Sequence, residues 1–415
     1  MEKMSSKKMK KPELLAPCGD LYRAKLAISY GADAVYLGGR KYSLRARASN
    51  FSEKEIQEIC SFARDHGASV HVTVNIIPHP SDFDGLKEYL EHLAAYGVTA
   101  IITASPAIMK LAADCAPSLA VHCSTQMSVT NASAAAFLAE KLGIQRVVLA
   151  RECTLKEIAR FTAECPIETE AFIHGGMCVN YSGRCTLSNR MTERDANRGG
   201  CAQSCRWQYD VYRNGEKINP DGFPFTMGSK DMMAAHEISS LMRAGVDSLK
   251  IEGRMKSEYY VASVVSGYRH LIDAIYAKQD DLSEEEIRPY IAEIMKGENR
   301  EVFPGNYYGD AAEKGIIYHE NSNAHVNHDF LGVVDSYDPE TGVVIMVTRN
   351  PFDIHEMVEV LRQGDSTKRF RMDEIEDEEG NRLEQSRVPM KRLKIRVPFA
   401  VKKNDIVRKV SNDTD

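Results

Sequence analysis

Four cysteines, Cys178, Cys185, Cys201 and Cys205, fall within 28 residues in the pattern C-x6-C-x15-C-x3-C. Thiolates gathered this densely, in a chain whose start lacks a secretory apolar run, read as ligands for a soft metal centre rather than as disulfides. Structural zinc favours tight knuckles in both halves, and only the second pair is tight here, whereas a cubane cluster accepts cysteines from a wider loop. A [4Fe-4S] cluster is therefore the first expectation and zinc the runner-up. Four thiols packed as small hydrophobes are the bland alternative, and the intervening Asn, Ser, Gly and Arg residues argue against it. Cys153 and Cys165 stand as spare ligands; a cluster on three cysteines with an open iron would favour catalysis over a structural role.

Stepping outward, eight short β-prone runs, at 13–17, 34–39, 69–75, 100–104, 120–126, 146–152, 169–175 and 248–254, alternate with helical stretches. The helices are expected at 22–30, 52–66, 82–96, 106–113, 132–142, 155–163 and 258–277, and Gly31, Gly67, Gly97 and Gly143 follow four of them as C-terminal caps. Eight strands each leading to a helix predict an α/β fold, a (β/α)8 TIM-like barrel. No G-x-G-x-x-G follows the first strand and no Walker A motif occurs, which weakens dinucleotide and P-loop alternatives. The seventh connection is long, a Cys-rich insertion over 176–247, and an insertion at that end of a barrel strand should roof the barrel mouth. Within it Asn214-Gly215 signals a hairpin.

Residues ending the strands then become the candidate site. Arg45, Arg47, Asn75, Gln126, Arg151 and Lys250 could bind an anionic substrate, because Arg offers bidentate bonds to carboxylates, and Cys18, Ser124 and Glu152 stand at the same rim. For Arg45 and Arg47 a solvated loop is an equal alternative. Lys250, Glu252 and Arg254 alternate on a strand that should be buried, and buried charges must pair or work. Glu252 and Arg254 are read as catalytic against a structural ion-pair layer, and His174 as catalytic against a satisfied core histidine. Protease motifs are absent: there is no H-E-x-x-H and no G-x-S-x-G, and nothing selects a pair among Cys18, Cys123, Cys153, His122 and His174.

The chain is ordinarily globular, 43% apolar and 27% charged, and its net charge of −6 restricts any nucleic-acid site to a local patch. Ten cysteines and no bilayer-length apolar run suggest a reducing, cytoplasmic setting without a membrane. Residues 1–12 read as a flexible basic tail, 13–278 as the barrel, 279–328 as a helical and irregular linker in which Pro289 blurs the helix start, and 329–411 as a small antiparallel β-barrel. The last stretch holds Lys391, Arg392, Lys394, Arg396, Lys402, Lys403, Arg408 and Lys409, either solvated edge charges or an RNA backbone footprint. Arg206, Trp207 and Tyr209, beside Cys205, could stack on bases or simply pack the insertion down.

Glu170, Phe172, Gly175, Met177, Cys178, Gly183, Cys185, Leu187 and Ser188 resemble the signature of peptidase family U32, with Gly176 where the signature has Ser or Ala. ELLAPCGD, GADAVYLGG, GSKDM and SLKIEGRMKSEYYVASVVSGYR extend the resemblance over almost the whole chain. Proteins of that family are labelled collagenase-like proteases or RNA- and quinone-hydroxylating iron–sulfur proteins. Barrel plus β-rich tail resembles the tRNA-hydroxylating branch, which implies oxygen-independent, prephenate-dependent formation of 5-hydroxyuridine at the tRNA wobble position. A paralogous partner subunit is a further implication. A protease, or a non-catalytic tRNA- or subunit-binding module with a structural cluster, are the alternatives.

Overall fold

Aliphatic and β-branched runs form the strands, and in the computed structural model, which describes residues 8–44, 50–309, 315 and 328–410, these pair in sequence order. They are β1 (Glu13–Pro17), β2 (Ala34–Gly38), β3 (Ser69–Thr73), β4 (Ala100–Thr103), β5 (Ala120–Cys123), β6 (Arg146–Val148) and β7 (Glu168–Gly176). A hairpin, β8 (Tyr212–Arg213) and β9 (Glu216–Lys217), and a short β10 (Asp231–Met233) precede β11 (Ser248–Ile251). Pairing of β11 with both β7 and β1 closes an eight-stranded parallel barrel of the TIM type. The hairpin turns at Asn214 and Gly215, both in left-handed backbone as an Asn-Gly turn requires.

The helices between strands are α1 (Leu21–Ser29), α2 (Glu53–Asp65), α3 (Leu86–Ala95), α4 (Pro106–Cys115), α5 (Ala132–Leu142) and α6 (Leu155–Glu164). Ser52 with Glu55 and Thr154 with Glu157 form capping boxes at the starts of α2 and α6. The third helix begins later than residue 82: a 3-10 turn, Pro80–Phe83, comes first, and left-handed Gly85 starts a fresh helix. The insertion adds α7 (Leu187–Thr192) and α8 (Ile238–Ala244), and α9 (Glu258–Lys278) packs against α10 (Glu284–Met295). Pro289 sits inside α10 rather than at its start. It is tolerated because the carbonyl it leaves without an amide partner, that of Glu285, belongs to an exposed residue and can be hydrated.

Charges fill the lower interior. Lys250 meets Glu170 at 2.6 Å, and Arg146 meets Glu13 at 2.6 Å, Glu168 at 2.8 Å and Glu170 at 3.3 Å. Lys250 also lies over the Tyr36 ring. Its expected substrate role is thereby corrected: the ammonium is committed to a structural ion pair at the strand N-termini, where buried charge needs a partner. His71 and His122 meet edge to face in the same layer, above a cavity of about 790 Å3 at the end of the barrel remote from the insertion.

Beyond α10 the expected irregular linker is tied down. β12 (Val302–Phe303) pairs with β10, and buried Tyr307 donates its hydroxyl to the Phe172 carbonyl at 2.5 Å. The strands β13 (Phe330–Tyr337), β14 (Val343–Thr348), β15 (Phe352–Asp353), β16 (Met357–Leu361), β17 (Lys368–Arg371), β18 (Ile375–Glu376), β19 (Gln385–Ser386), β20 (Arg392–Arg396) and β21 (Ile406–Lys409) complete the chain. Seven of them form one antiparallel sheet in the order β17-β16-β21-β13-β14-β20-β18. No pairing joins β17 to β18 among the described residues, so the small antiparallel barrel expected here takes the form of a half-barrel. Arg408 proves to be fully buried, not a surface charge: it clasps Glu359 and Glu293, joining the half-barrel to α10.

Candidate functional site

The insertion lies across the C-terminal ends of the strands and is bonded to three of the loops there. Arg198 donates to the Ile77 carbonyl and to Asp82, both at 2.6 Å, in the loop after β3. Gly183, in left-handed backbone, presses on the loop after β5, where an added Cβ would stand 2.1 Å from the Gln126 carbonyl oxygen; no other residue type fits. Glu152, after β6, accepts from the Ser182 amide at 3.0 Å and hydroxyl at 2.8 Å. The Cys-rich loop is thus anchored on both sides of Cys185.

All four cysteines are unbridged, with Cys178 and Cys201 on exposed loop positions and Cys185 and Cys205 half-buried. Although Cys178 presents surface to solvent, the protein around its sulfur desolvates it and raises its pKa, and Cys185 and Cys201 add to the rise. Burial lifts Cys205 to about 11, with the other three thiols contributing. Thiols that oppose one another's ionisation are what a cationic centre would reverse. In kind and in availability the donors fit such a centre. Among the described residues, no three His, Cys, Asp or Glu side chains close to the spacing that grips a single ion. Asn180 donates to the Cys185 sulfur at 3.3 Å, Arg194 and Thr226 donate to the carbonyls of Cys201 and Cys205, and Asn197 to that of Cys185.

Beneath this loop the mouth is polar. Arg151 donates to the Gly176 carbonyl at 2.8 Å and lies over the Phe172 ring at 3.9 Å, while Asn75 donates to Gln126 at 3.0 Å. Arg254 is buried and donates to Ser43 at 3.1 Å and Asn50 at 2.8 Å, clamping both ends of the loop after β2. Arg45 and Arg47, within that loop, lie outside the described residues. Glu252 reaches the insertion side, its Oε2 3.9 Å from where a Cβ on Gly176 would stand.

His174 turns to the helices instead of the mouth. Its Nε2 meets Glu298 at 2.7 Å and its Nδ1 the Tyr268 hydroxyl at 3.2 Å, so neither nitrogen is left for a substrate. Burial works to raise the Glu298 carboxyl, yet the His174 bond and charge and nearby Lys256 hold it below the usual range. Lys256 continues the network to buried Asp231 at 3.2 Å, which Arg300 and Arg206 flank at 3.4 and 3.9 Å. Asp231, Lys256 and Glu298 escaped the sequence reading; a lone acid followed by two methionines in KDMM was the available signal.

Strand-end thiols suit nucleophilic chemistry poorly. Burial pushes Cys123 and Cys153 up to about 12 and Cys18 higher still, the reverse of an activated thiolate. In the half-barrel, Arg392 pairs with Asp335 and Glu378 and Lys403 with Asp335, so two of the proposed RNA contacts are partly neutralised. Lys394 faces Glu376 across the sheet register, and Lys391 and Lys402 have no ion pair among the described residues.

The family model described as Peptidase family U32 matches residues 19–316, and that of its C-terminal domain matches 326–408. The chain belongs to peptidase family U32. Within the family it is 41% identical over 405 residues, 96% of this chain and 95% of the relative, to tRNA hydroxylation protein P1 of Bacillus subtilis (strain 168). It is 38% identical over 272 residues, 65% of this chain and 41% of the relative, to the 23S rRNA 5-hydroxycytidine C2501 synthase of Escherichia coli (strain K12). A U32 relative with another name, Collagenase of Porphyromonas gingivalis (strain ATCC BAA-308 / W83), is 32% identical over 310 residues, 72% of this chain and 73% of the relative. No helix among the described residues is long and apolar enough to cross a membrane.

Proposed function

We propose that this chain is an RNA-modifying enzyme that hydroxylates the wobble uridine of tRNA to 5-hydroxyuridine, independently of molecular oxygen and with prephenate as co-substrate. What carries the reading is the Bacillus relative named for tRNA hydroxylation, whose alignment runs through barrel and half-barrel alike. Cys178, Cys185, Cys201 and Cys205 would hold a [4Fe-4S] cluster, which supplies Lewis-acid or one-electron chemistry when bound. Arg151 would grip a carboxylate of the co-substrate, and the Asn75–Gln126 amide pair would orient it. Arg254 fixes the loop after β2, and Glu252 lies close enough to the insertion to take a proton there. The collagenase relative suggests peptide hydrolysis instead. The raised thiols at the strand ends count against that reading.

Anaerobic purification of the wild type and of Cys178→Ala, with assays of iron, acid-labile sulfide and zinc, tests the metal centre. About four irons and four sulfides per chain, lost in the variant, are expected; stoichiometric zinc would overturn the cluster. Loss of 5-hydroxyuridine from tRNA of a strain lacking the gene, restored by the wild-type chain and not by Cys178→Ala, tests the reaction.

A further inference from the structure

The insertion carries a face that neither the thiols nor the mouth uses. Tyr209 and Phe225 stand opposite each other in an antiparallel bridge, each amide donating to the other's carbonyl at 2.8 Å. Directly opposed residues project to one side of such a pair, and Trp207 and Phe223 each precede one of its members by two residues. Tyr212 is a further exposed aromatic on the adjoining hairpin. Trp207 is 42% exposed, Phe225 40%, Phe223 53% and Tyr212 61%, a density of open aromatic surface that marks an interaction site.

The charge around this face is unlike that of the chain. Residues 177–230 hold eight Lys and Arg against five Asp and Glu, where the whole chain holds 53 against 59. Arg184, Arg190 and Arg213 are exposed, and none of them has an ion pair among the described residues. Arg213 directly follows Tyr212, and guanidinium groups without an ion pair together with flat aromatic rings answer two features that occur together in unpaired nucleic acid, the phosphate and the open base. A duplex offers phosphates but keeps its base faces stacked.

We propose that this aromatic and arginine face of the insertion is a platform on which the unpaired bases of an RNA loop stack. This rests on the RNA-modifying role proposed above and names the element that holds the RNA: the insertion, not the half-barrel. Because Trp207 lies two residues from Cys205, a loop stacked there is delivered beside the Cys-rich roof of the mouth. The basic half-barrel residues then add little to loop affinity.

Trp207 is the only tryptophan in the chain, so its fluorescence reports this face alone. Full-length, anaerobically prepared protein is titrated with an anticodon stem-loop RNA and with a blunt duplex of the same stem, following labelled-RNA anisotropy and Trp207 emission. The stem-loop is expected to bind in a salt-dependent way and to quench Trp207, and the duplex to bind at least about tenfold more weakly without quenching. Phe223→Ala and Tyr212→Ala should each weaken stem-loop binding about tenfold, Arg213→Glu should weaken it and flatten its salt dependence, and Lys391→Glu with Lys402→Glu should leave it unchanged. Iron content and thermal melting of each variant check that it is folded. Equal binding of loop and duplex, or full affinity in the Phe223→Ala and Tyr212→Ala proteins, would overturn the platform. So would unchanged RNA binding with a shift in oligomeric state, because the face would then cover a protein partner. If RNA binds as expected and the gene deletion leaves hydroxyuridine intact, the platform stands and the hydroxylase reading fails.

Discussion

At the lower end of the barrel Arg146 and Lys250 direct their charge onto Glu13, Glu168 and Glu170, while at the mouth Arg151 makes one bond to a backbone carbonyl and lies over Phe172. Arg146 is buried on β6, and Arg151 is half-buried in the turn that follows the same strand. The lower layer is closed on itself and holds strands together. The mouth keeps donors in reserve beneath a loop of four thiols, which is the condition for binding something else. Burial of a charged residue on a barrel strand therefore does not mark a site; the count of its unused donors does.

The sharpest break in this comparison should come from Glu170→Ala. It strands Lys250 in the interior and removes one Arg146 contact, and removal of one partner from a buried pair costs about 3–5 kcal/mol. Chemical denaturation should show a midpoint lowered accordingly, and an unchanged midpoint would mean that the layer is not structural. Acid should weaken the same end. His71 is buried neutral, its pKa pushed down to about 4 by desolvation first, against a usual value of 6.5. The unfolded chain takes up more protons between those values, so this group's contribution is complete above about pH 6.5 and is lost as pH falls towards 4, a loss of at most about 3 kcal/mol. Melts across that window should show the slope, and His71→Asn should flatten it. At the mouth the effect should move from stability to turnover. Arg151→Ala is expected to change stability by about 1 kcal/mol or less, yet to reduce the proposed hydroxyuridine formation about tenfold or more through a raised requirement for the proposed anionic co-substrate.

Much of the scaffold was legible because it is local. The eight β-prone runs, the glycines after the helices, and Asn214-Gly215 each carry their signal within a few residues, and all reappear in the fold. The Cys-rich loop was legible for the same reason, as was its place above the mouth, since the seventh strand leads directly into it. Pairings across the sequence were not. Lys250 finds Glu170 80 residues away and His174 finds Glu298 124 residues away, and alternation along a strand tells which residues are inside without telling what they meet. The strap through Tyr307 is irregular, as the turn signals of Gly305, Asn306 and Gly309 indicate, but its anchor, the Phe172 carbonyl, is backbone and leaves no trace in sequence.

The clasp at Arg408 bears on the order in which the chain can be completed during synthesis. The barrel ring can close once β11 has emerged, but Tyr30 of the first barrel unit donates its hydroxyl to the carbonyls of Leu361 and Asn404, and Tyr259 stacks on Phe330 at 5.1 Å. Until β21 arrives carrying Arg408, Glu293 and Glu359 have only Lys296 as a shared cation. A nascent barrel must therefore wait for the half-barrel strands to leave the ribosome before its flank is sealed, and that interval is when a chain of this design is most open to chaperones and proteases.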